Sequence, residues 1–213
     1  MKLFKVLALV AGASLALAAP AQAFTIKDHL QVKVGVAGVI PDAGADISLI
    51  GGDVDISDEW VPSVQLEWFF NENVSAELLC CIARHDVGAV DTALGPVDLG
   101  KVTHFPPTVT LKYRWTDFGP FEPYVGAGVN YTHFFNADAP DAGPVTGIQY
   151  DDSFGPALQI GADYRLNDRW SINIDARKIW IDTDVAIDAG ATRIDASVDI
   201  DPWVFAVGIG YRF

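Results

Sequence analysis

The chain has 213 residues, half of them hydrophobic, and a formal net charge of −14 at pH 7. This acidic balance argues against a nucleic-acid partner, which would require a basic face. Beyond the N-terminal region no apolar run reaches the roughly 18 residues that a transmembrane helix requires. A membrane-spanning fold would therefore have to be a closed β-barrel, because lipid cannot satisfy the open edge of a sheet.

Residues 1–23 have the pattern of a secretory signal peptide. Lys2 and Lys5 supply a short positive region, an apolar run follows over residues 6–18, and Ala21-Gln22-Ala23 forms a small-x-small cleavage site. The apolar run is too short for a membrane helix. We therefore expect this segment to be removed during export and residues 24–213 to form one outer-membrane β-barrel.

Eight segments of the remaining chain alternate apolar and polar residues between turn signals, as β-strands do. They are residues 30–40, 60–70, 74–84, 105–115, 122–135, 154–166, 170–182 and 199–213. Their connections alternate between short turns (71–73, 116–121, 167–168) and long loops (41–59, 85–104, 136–153, 183–198). This pattern predicts an all-β, eight-stranded antiparallel transmembrane β-barrel with short periplasmic turns and long external loops.

The last segment has the clearest membrane signature. One of its faces carries Trp203, Phe205, Val207, Ile209, Tyr211 and Phe213, so that aromatic rings stand at both ends and aliphatic groups between them. Rings in these positions suit the two interfaces of a bilayer. Taken alone, the segment also fits the edge strand of a soluble β-sandwich, but the regular order of long and short connections favours the barrel.

Charged residues lie on the faces opposite the apolar ones and would point into the barrel. The basic members are Lys33, Lys112, Arg114, Arg165, Arg177 and Arg212, and the acidic members are Glu67, Glu77, Asp163 and Asp175. An eight-stranded barrel is only just wide enough for its own side chains, and unpaired charges inside it would be costly. We therefore expect a charge network that plugs the lumen, with a role in ion passage as the alternative.

The first long loop, 41–59, is acidic but also contains apolar residues. Its carboxylates indicate either a solvated surface or contact with divalent cations and, through them, lipopolysaccharide. His85, His104 and His133 are expected to approach one another at the outer rim, but no nucleophile or ligand spacing accompanies them. We therefore expect no enzymatic activity, no metal site and no cofactor.

Three stretches are similar to a known family: His104-Phe-Pro-Pro-Thr108, Pro123-Tyr-Val-Gly-Ala-Gly-Val-Asn-Tyr-Thr132, and Asp201-Pro-Trp-Val-Phe205 followed by the ending Gly210-Tyr-Arg-Phe213. They resemble the OmpW family of outer-membrane proteins. The resemblance extends over nearly all of residues 24–213. It implies an outer-membrane barrel with a hydrophobic channel that opens outside and passes small apolar molecules inward, with a lateral exit through the wall.

The resemblance also assigns residues. Leu79 matches the inward leucine of the family's Glu-Leu-Leu stretch, and Arg177 stands where the family can place an aromatic residue. The apolar residues of the first long loop would line the funnel with them: Leu49, Ile50, Val54 and Ile56. Tyr211 and Phe213 resemble the terminal signal that the barrel-assembly machinery reads.

The sequence thus predicts a channel for passive uptake of small hydrophobic molecules. Two alternatives stay open: a structural or adhesive barrel that acts through its acidic external loops, and a narrow ion channel. The expected partners are outer-membrane lipid and lipopolysaccharide, the barrel-assembly machinery and small hydrophobic solutes.

Overall fold

The structure, a computed structural model, describes residues 28–213, and the expected signal peptide lies outside these residues. The described chain contains fifteen β-strands. They are β1 (Leu30–Ile40), β2 (Gly44–Ile47), β3 (Asp53–Ile56), β4 (Glu59–Phe69), β5 (Val74–Cys81), β6 (Ala83–Val90), β7 (Val97–Phe105), β8 (Thr108–Arg114), β9 (Phe121–Asp138), β10 (Gly147–Tyr150), β11 (Ser153–Arg165), β12 (Trp170–Ile179), β13 (Asp182–Ala189), β14 (Thr192–Asp199) and β15 (Trp203–Arg212). Over residues 28–213, no helix is long and apolar enough to cross a membrane.

Eight of these strands close into an antiparallel barrel. Around the wall they follow the order β1, β4, β5, β8, β9, β11, β12 and β15, and β15 pairs with β1 to complete the circle. The closing register runs from Gln31 opposite Arg212 to Ile40 opposite Trp203. The predicted eight-stranded antiparallel barrel is confirmed.

The outer surface of the barrel is apolar. On β15, the side chains of Phe205, Val207 and Ile209 are exposed, whereas Val204 and Ala206 between them are buried. Aromatic residues mark both edges of the apolar band: Trp60, Tyr131, Phe154 and Trp203 at the loop end, and Trp115, Phe121, Tyr164, Trp170 and Tyr211 at the turn end. An apolar band between two aromatic girdles is the surface of a membrane-spanning barrel.

The four connections predicted as long loops contain strands of their own, beyond the outer girdle. The β6–β7 hairpin pairs with β3 on one side and with the upper part of β9 on the other. β10, β13, β14 and β2 form a separate four-stranded sheet. These segments form strands because they alternate apolar and polar residues as the barrel strands do, so that each presents one apolar face.

Two groups of strands therefore lie beyond the barrel and are called the two outer sheets: one consists of β3, β6, β7 and the upper part of β9, and the other of β10, β13, β14 and β2. The two outer sheets pack their apolar faces against each other. Their buried residues include Val54, Val87, Leu99, Val185 and Ile187, and the same cluster continues down into the upper barrel through Ala37, Val39, Leu79, Ile179 and Val204. One contiguous apolar core therefore connects the outer sheets with the middle of the membrane-spanning barrel.

We predict that deletion of Phe213 lowers the amount of barrel assembled in the outer membrane several-fold. The Phe213 ring packs edge-on against Tyr211, with ring centroids 5.0 Å apart, and its amide donates to the Leu30 carbonyl at the closing seam, over 3.0 Å. The measurement is the fraction of membrane-bound protein that migrates as the folded form on an unheated gel. Phe118→Ala, at an exposed ring in a periplasmic turn, is the control. Equal folded fractions for the deletion and the wild type would contradict the prediction.

Candidate channel site: an apolar chamber above a charged base

Glu77 is the centre of the charge network inside the barrel. One carboxylate oxygen, Oε2, lies 2.9 Å from Lys33 Nζ and 2.8 Å from Lys112 Nζ. The other, Oε1, lies 2.6 Å from Arg177 Nη2 and accepts a hydrogen bond of 2.9 Å from the Gln159 amide. The three cations come from three different strands, β1, β8 and β12, and all point into the lumen. The Glu77 side chain that joins them is fully buried. One carboxylate therefore pairs with three buried cations.

Glu67 shares two of these cations. It lies 2.7 Å from Lys33 Nζ and 3.1 Å from Lys112 Nζ, and it also contacts Arg114, at 2.9 Å. The Ser75 hydroxyl donates a further hydrogen bond of 2.6 Å to the Glu67 carboxylate. The two glutamates therefore form a compact lattice with the two lysines, in which each lysine bridges both carboxylates.

Two aspartates complete the network. Asp163 lies 2.6 Å from Arg114, and Asp175 lies 3.3 Å from Arg177. Lys33, Lys112, Arg114 and Arg177 then face Glu67, Glu77, Asp163 and Asp175, so four basic groups face four acidic groups in this part of the lumen. A neutral, tightly paired cluster fills the base of the barrel.

Tyr124 sits within this cluster although the strand assignment did not single it out. Lys112 Nζ lies 3.7 Å from the centroid of the Tyr124 ring, in a cation–π arrangement. A Cβ atom at Gly161 would come within 2.6 Å of the Tyr124 hydroxyl, so the glycine leaves the space that the ring occupies. Tyr124 has the same strand parity as the polar, buried Asn130 on β9, and this parity would have identified it.

Arg165 and Arg212 were predicted inside the network, but the structure places them at the periplasmic rim. The Arg165 side chain is 53% exposed and pairs with Glu122 at 2.8 Å. The Arg212 guanidinium stacks 4.0 Å from the Phe69 ring centroid and donates to the Asp28 carbonyl. Both arginines have the predicted strand parity, but they stand at strand ends where the lumen already opens to water. Glu122, which joins Arg165 to Arg114, was not predicted.

An apolar chamber lies between the two outer sheets. Its wall consists of Ala45, Ile47, Val54, Ile56, His85, Val87, Leu99, Val102, His104, Phe134, Tyr150, Val185, Ile187, Ala196, Val198 and Ile200. The free volume is about 30 Å³, the space of about one water molecule. The chamber is therefore nearly filled by its own side chains in this conformation.

The predicted funnel residues divide between this chamber and its surroundings. Val54 and Ile56 line the chamber, and Ile50 packs against the same core. Leu79 is buried one pleat outward of Glu77, where the apolar core meets the charged base. The prediction for Leu49 is wrong: the residue is 78% exposed, because a left-handed φ of 68° turns the loop tip away from the core.

Two of the three rim histidines come together in the chamber wall. The rings of His85 and His104 are 4.9 Å apart in an edge-to-face arrangement, whereas His133 is exposed and pairs with Asp152 at 2.8 Å. His85 on β6 and His104 on β7 lie in the β6–β7 hairpin, outside the membrane-spanning wall. Burial lowers the pKa of His85, and burial together with the neighbouring His85 lowers the pKa of His104 to about 3. Both imidazoles are therefore neutral near pH 7.

The barrel wall is interrupted beside Leu79. β5 pairs with β8 up to Leu79 opposite Thr108, and the continuing β6–β7 ladder begins at Ala83 opposite His104. The pairing of β5 with β8 and the pairing of β6 with β7 share one register, so the residues between the two ladders also lie opposite each other in that register. The chain between Phe105 and Thr108 is Pro106-Pro107, and proline has no amide hydrogen with which to bond the neighbouring strand. The interval is therefore a weak point in the wall.

The opposite side of the two prolines is well bonded. The Asn130 side chain on β9 donates to the carbonyls of Pro106 and Pro107, over 3.1 and 3.3 Å. The Tyr131 amide adds a hydrogen bond of 3.1 Å to the Pro107 carbonyl. The break is thus confined to the β5 side, where it faces the apolar core.

These features define an eight-stranded outer-membrane barrel whose interior is apolar in its outer part and charged at its base. The profile of the OmpW family matches residues 27–213. The chain therefore belongs to the OmpW family, and the protein is located in the outer membrane.

Related proteins agree with this assignment. Outer-membrane protein y4mB of Sinorhizobium fredii is 36% identical over 185 residues, which are 86% of this chain and 79% of that protein. Outer membrane protein W of Vibrio cholerae is 34% identical over 189 residues, which are 85% of this chain and 87% of that protein. The dibenzothiophene metabolism operon protein PahQ of Pseudomonas aeruginosa is 31% identical over 186 residues, which are 85% and 87% of the two chains.

A solved structure shows the same fold. The outer membrane protein OprG of Pseudomonas aeruginosa matches the chain with a TM-score of 0.80 at 29% sequence identity. The match covers 88% of this chain and 96% of OprG. The overall fold of the chain is therefore one known from experiment.

We predict that Glu77→Gln destabilises the barrel by about 3–5 kcal/mol, because removing one partner leaves buried charge uncompensated. In this protein Lys33 and Lys112 would still share Glu67, Lys33 would keep Asp163 and Arg177 would keep only Asp175, so one buried positive charge would be left in excess. The measurement is the urea midpoint of the protein folded in lipid vesicles, followed by tryptophan fluorescence. Glu72→Gln, in the exposed turn after β4, removes the same charge outside the network and should leave the midpoint unchanged. Equal midpoints for the two variants would refute the role assigned to Glu77.

Proposed function

We propose that the protein is a passive conduit through which small hydrophobic molecules enter the outer membrane. The observation that carries the proposal is the contiguous apolar core, which descends from the outer chamber to Leu79 and ends directly above Glu77. Such a core offers an apolar solute a path through the polar outer surface. Its driving force is the transfer of apolar area out of water, about 25 cal/mol per Å².

The charged base supports an exit to the side. An apolar solute that continued downward would have to separate Lys33, Lys112 and Arg177 from Glu77, and breaking buried ion pairs in this way is strongly unfavourable. The same paired cluster argues against ion passage, since an ion would have to displace these partners. Planar-bilayer recordings of the folded protein should therefore lack discrete conductance steps.

The wall beside Leu79 provides the exit that the proposal requires. Backbone hydrogen bonds are missing there between the end of β5 and Pro106-Pro107, and the lipid-facing Ile82 next to this interval is 57% exposed. A solute that reaches Leu79 therefore meets the weakest part of the wall and, beyond it, hydrocarbon. The exit delivers the solute into the membrane rather than into the periplasm.

The chamber in its present conformation is too narrow for such a solute, because about 30 Å³ holds roughly one water molecule. Passage therefore requires the two outer sheets to move apart. β2 and β3 link the sheets, since β2 pairs with β14 and β3 pairs with β6. The first long connection thus spans the two halves of the chamber and governs how far they separate.

A relative indicates the class of solute. PahQ is named for a dibenzothiophene metabolism operon, and dibenzothiophene is a flat, apolar, tricyclic aromatic molecule. We infer that this chain admits molecules of similar character. Cells that contain the protein should take up radiolabelled dibenzothiophene faster than cells that lack it, and equal rates would refute the proposal.

We predict that a disulfide across the wall break slows this uptake. The common register places Cys81 opposite Pro106, and Cys81 is a free, buried cysteine. Directly opposed strand positions have the Cα spacing that a disulfide needs. In Pro106→Cys, with Cys80→Ser to leave one partner, oxidation should lower the uptake rate several-fold and reduction should restore it.

Two controls accompany this experiment. The variant that also carries Cys81→Ala cannot form the bridge, so oxidation should leave its uptake unchanged. Pro106→Ala tests the effect of restoring an amide hydrogen without a covalent bond. Full uptake by the oxidised, bridged protein would exclude an exit at Pro106-Pro107.

A further inference from the structure

We propose that His85 and His104 form a binding site for the hydroxyl group of an otherwise apolar solute, such as a phenol. The inference rests on the proposed function and specifies the chemistry of the solutes that the chamber holds best. It is carried by two buried imidazoles that line one apolar cavity with a free nitrogen on each.

The free nitrogens are unusual for a buried position. His85 and His104 are only 2% and 3% exposed, and both line the chamber. Within residues 28–213, the Nε2 atoms of both rings are buried without a hydrogen-bond partner. Buried polar atoms in native proteins are nearly always bonded to protein or to water. Two such atoms in one apolar cavity therefore indicate a bound group that supplies the missing hydrogen bonds.

The hydrogen bonding of His85 determines which kind of group it can bind. Its Nδ1 atom lies 2.6 Å from the backbone carbonyl oxygen of Ser57. A carbonyl oxygen only accepts hydrogen bonds, so Nδ1 must carry the proton. In the neutral imidazole Nε2 is then an acceptor. His85 therefore requires a donor from the solute, which neither a hydrocarbon nor a ketone can provide.

A hydroxyl group matches the pair better than any other small group. Its oxygen donates one hydrogen bond, to His85, and accepts another, which suits His104 when its Nε2 atom carries the proton. The closed chamber has room for about one water molecule. The hydroxyl oxygen can take that position while the remainder of the solute occupies the space opened when the sheets separate.

The adjoining wall suits an aromatic ring. Phe134 lies 6.1 Å from His104, centroid to centroid, and stacks on Tyr150 at 5.4 Å. Aromatic rings favour such stacked and tilted contacts at centroid distances of about 4.5–7 Å. A phenolic solute can therefore lie against Phe134 with its hydroxyl group directed at the histidines.

The test compares three ligands of similar shape: 2-naphthol, which donates and accepts; 2-methoxynaphthalene, which only accepts; and naphthalene, which does neither. Each is titrated by fluorescence into the folded protein in lipid nanodiscs. Wild type should bind 2-naphthol about tenfold more tightly than 2-methoxynaphthalene, as expected for one buried hydrogen bond. His85→Phe should abolish this preference, because the acceptor for the hydroxyl group is lost.

Leu94→Met is the matched control, since Leu94 is exposed in the turn between β6 and β7, outside the chamber wall, and the variant should keep the preference for 2-naphthol. His85→Leu also removes the acceptor and tests the same prediction independently of the folding of His85→Phe. The inference is overturned if wild type binds the naphthol and its methyl ether equally, or if folded His85→Phe or folded His85→Leu retains the preference. If cells that contain the protein take up naphthalene faster than cells that lack it, but the protein shows no preference for 2-naphthol, only this inference is refuted. If the two kinds of cells take up naphthalene at the same rate, the proposed function is refuted.

Discussion

The placement of one carboxylate among three cations determines how the interior of this barrel is divided. Glu77 pairs with Lys33, Lys112 and Arg177, one pleat below Leu79. Because these charges are buried, they must stay paired, and the pairing closes the lower lumen. The upper lumen is left free to be apolar. The division between a sealed base and an apolar outer part thus follows from the ion pairs around Glu77.

The wall complements this division. Pro106-Pro107 removes backbone donors at the height where the apolar core ends, and Asn130 bonds the carbonyls of both prolines from the β9 side. Hydrogen bonding is therefore interrupted only on the β5 side of the two prolines, while the neighbouring strand pairs of the wall remain hydrogen-bonded. A closed base without a weak wall would trap a solute, and a weak wall without a closed base would leak. The two features support one function only because they occur next to each other.

Period-two alternation was sufficient to predict the barrel and the core of its charge network from sequence. It assigns a side chain to a face but says nothing about its height, which is why Arg165 and Arg212 were predicted inside and lie at the rim. Leu49 was misplaced because a left-handed turn breaks the alternation. The outer strands were predictable in part, since Val185, Ile187, Ile194, Ala196 and Val198 alternate across a turn. The pairing of β2 with β14 joins distant segments and leaves no local signal.

β9 has 18 residues, about 60 Å of extended chain at roughly 3.4 Å per residue. An outer-membrane barrel has an apolar band only about 25 Å tall. Much of this strand therefore stands above the bilayer and carries the chamber with it. On the proposed route, a molecule that enters at the top would leave water well before it reaches the lipid, and it would cross the polar layer at the cell surface inside the protein.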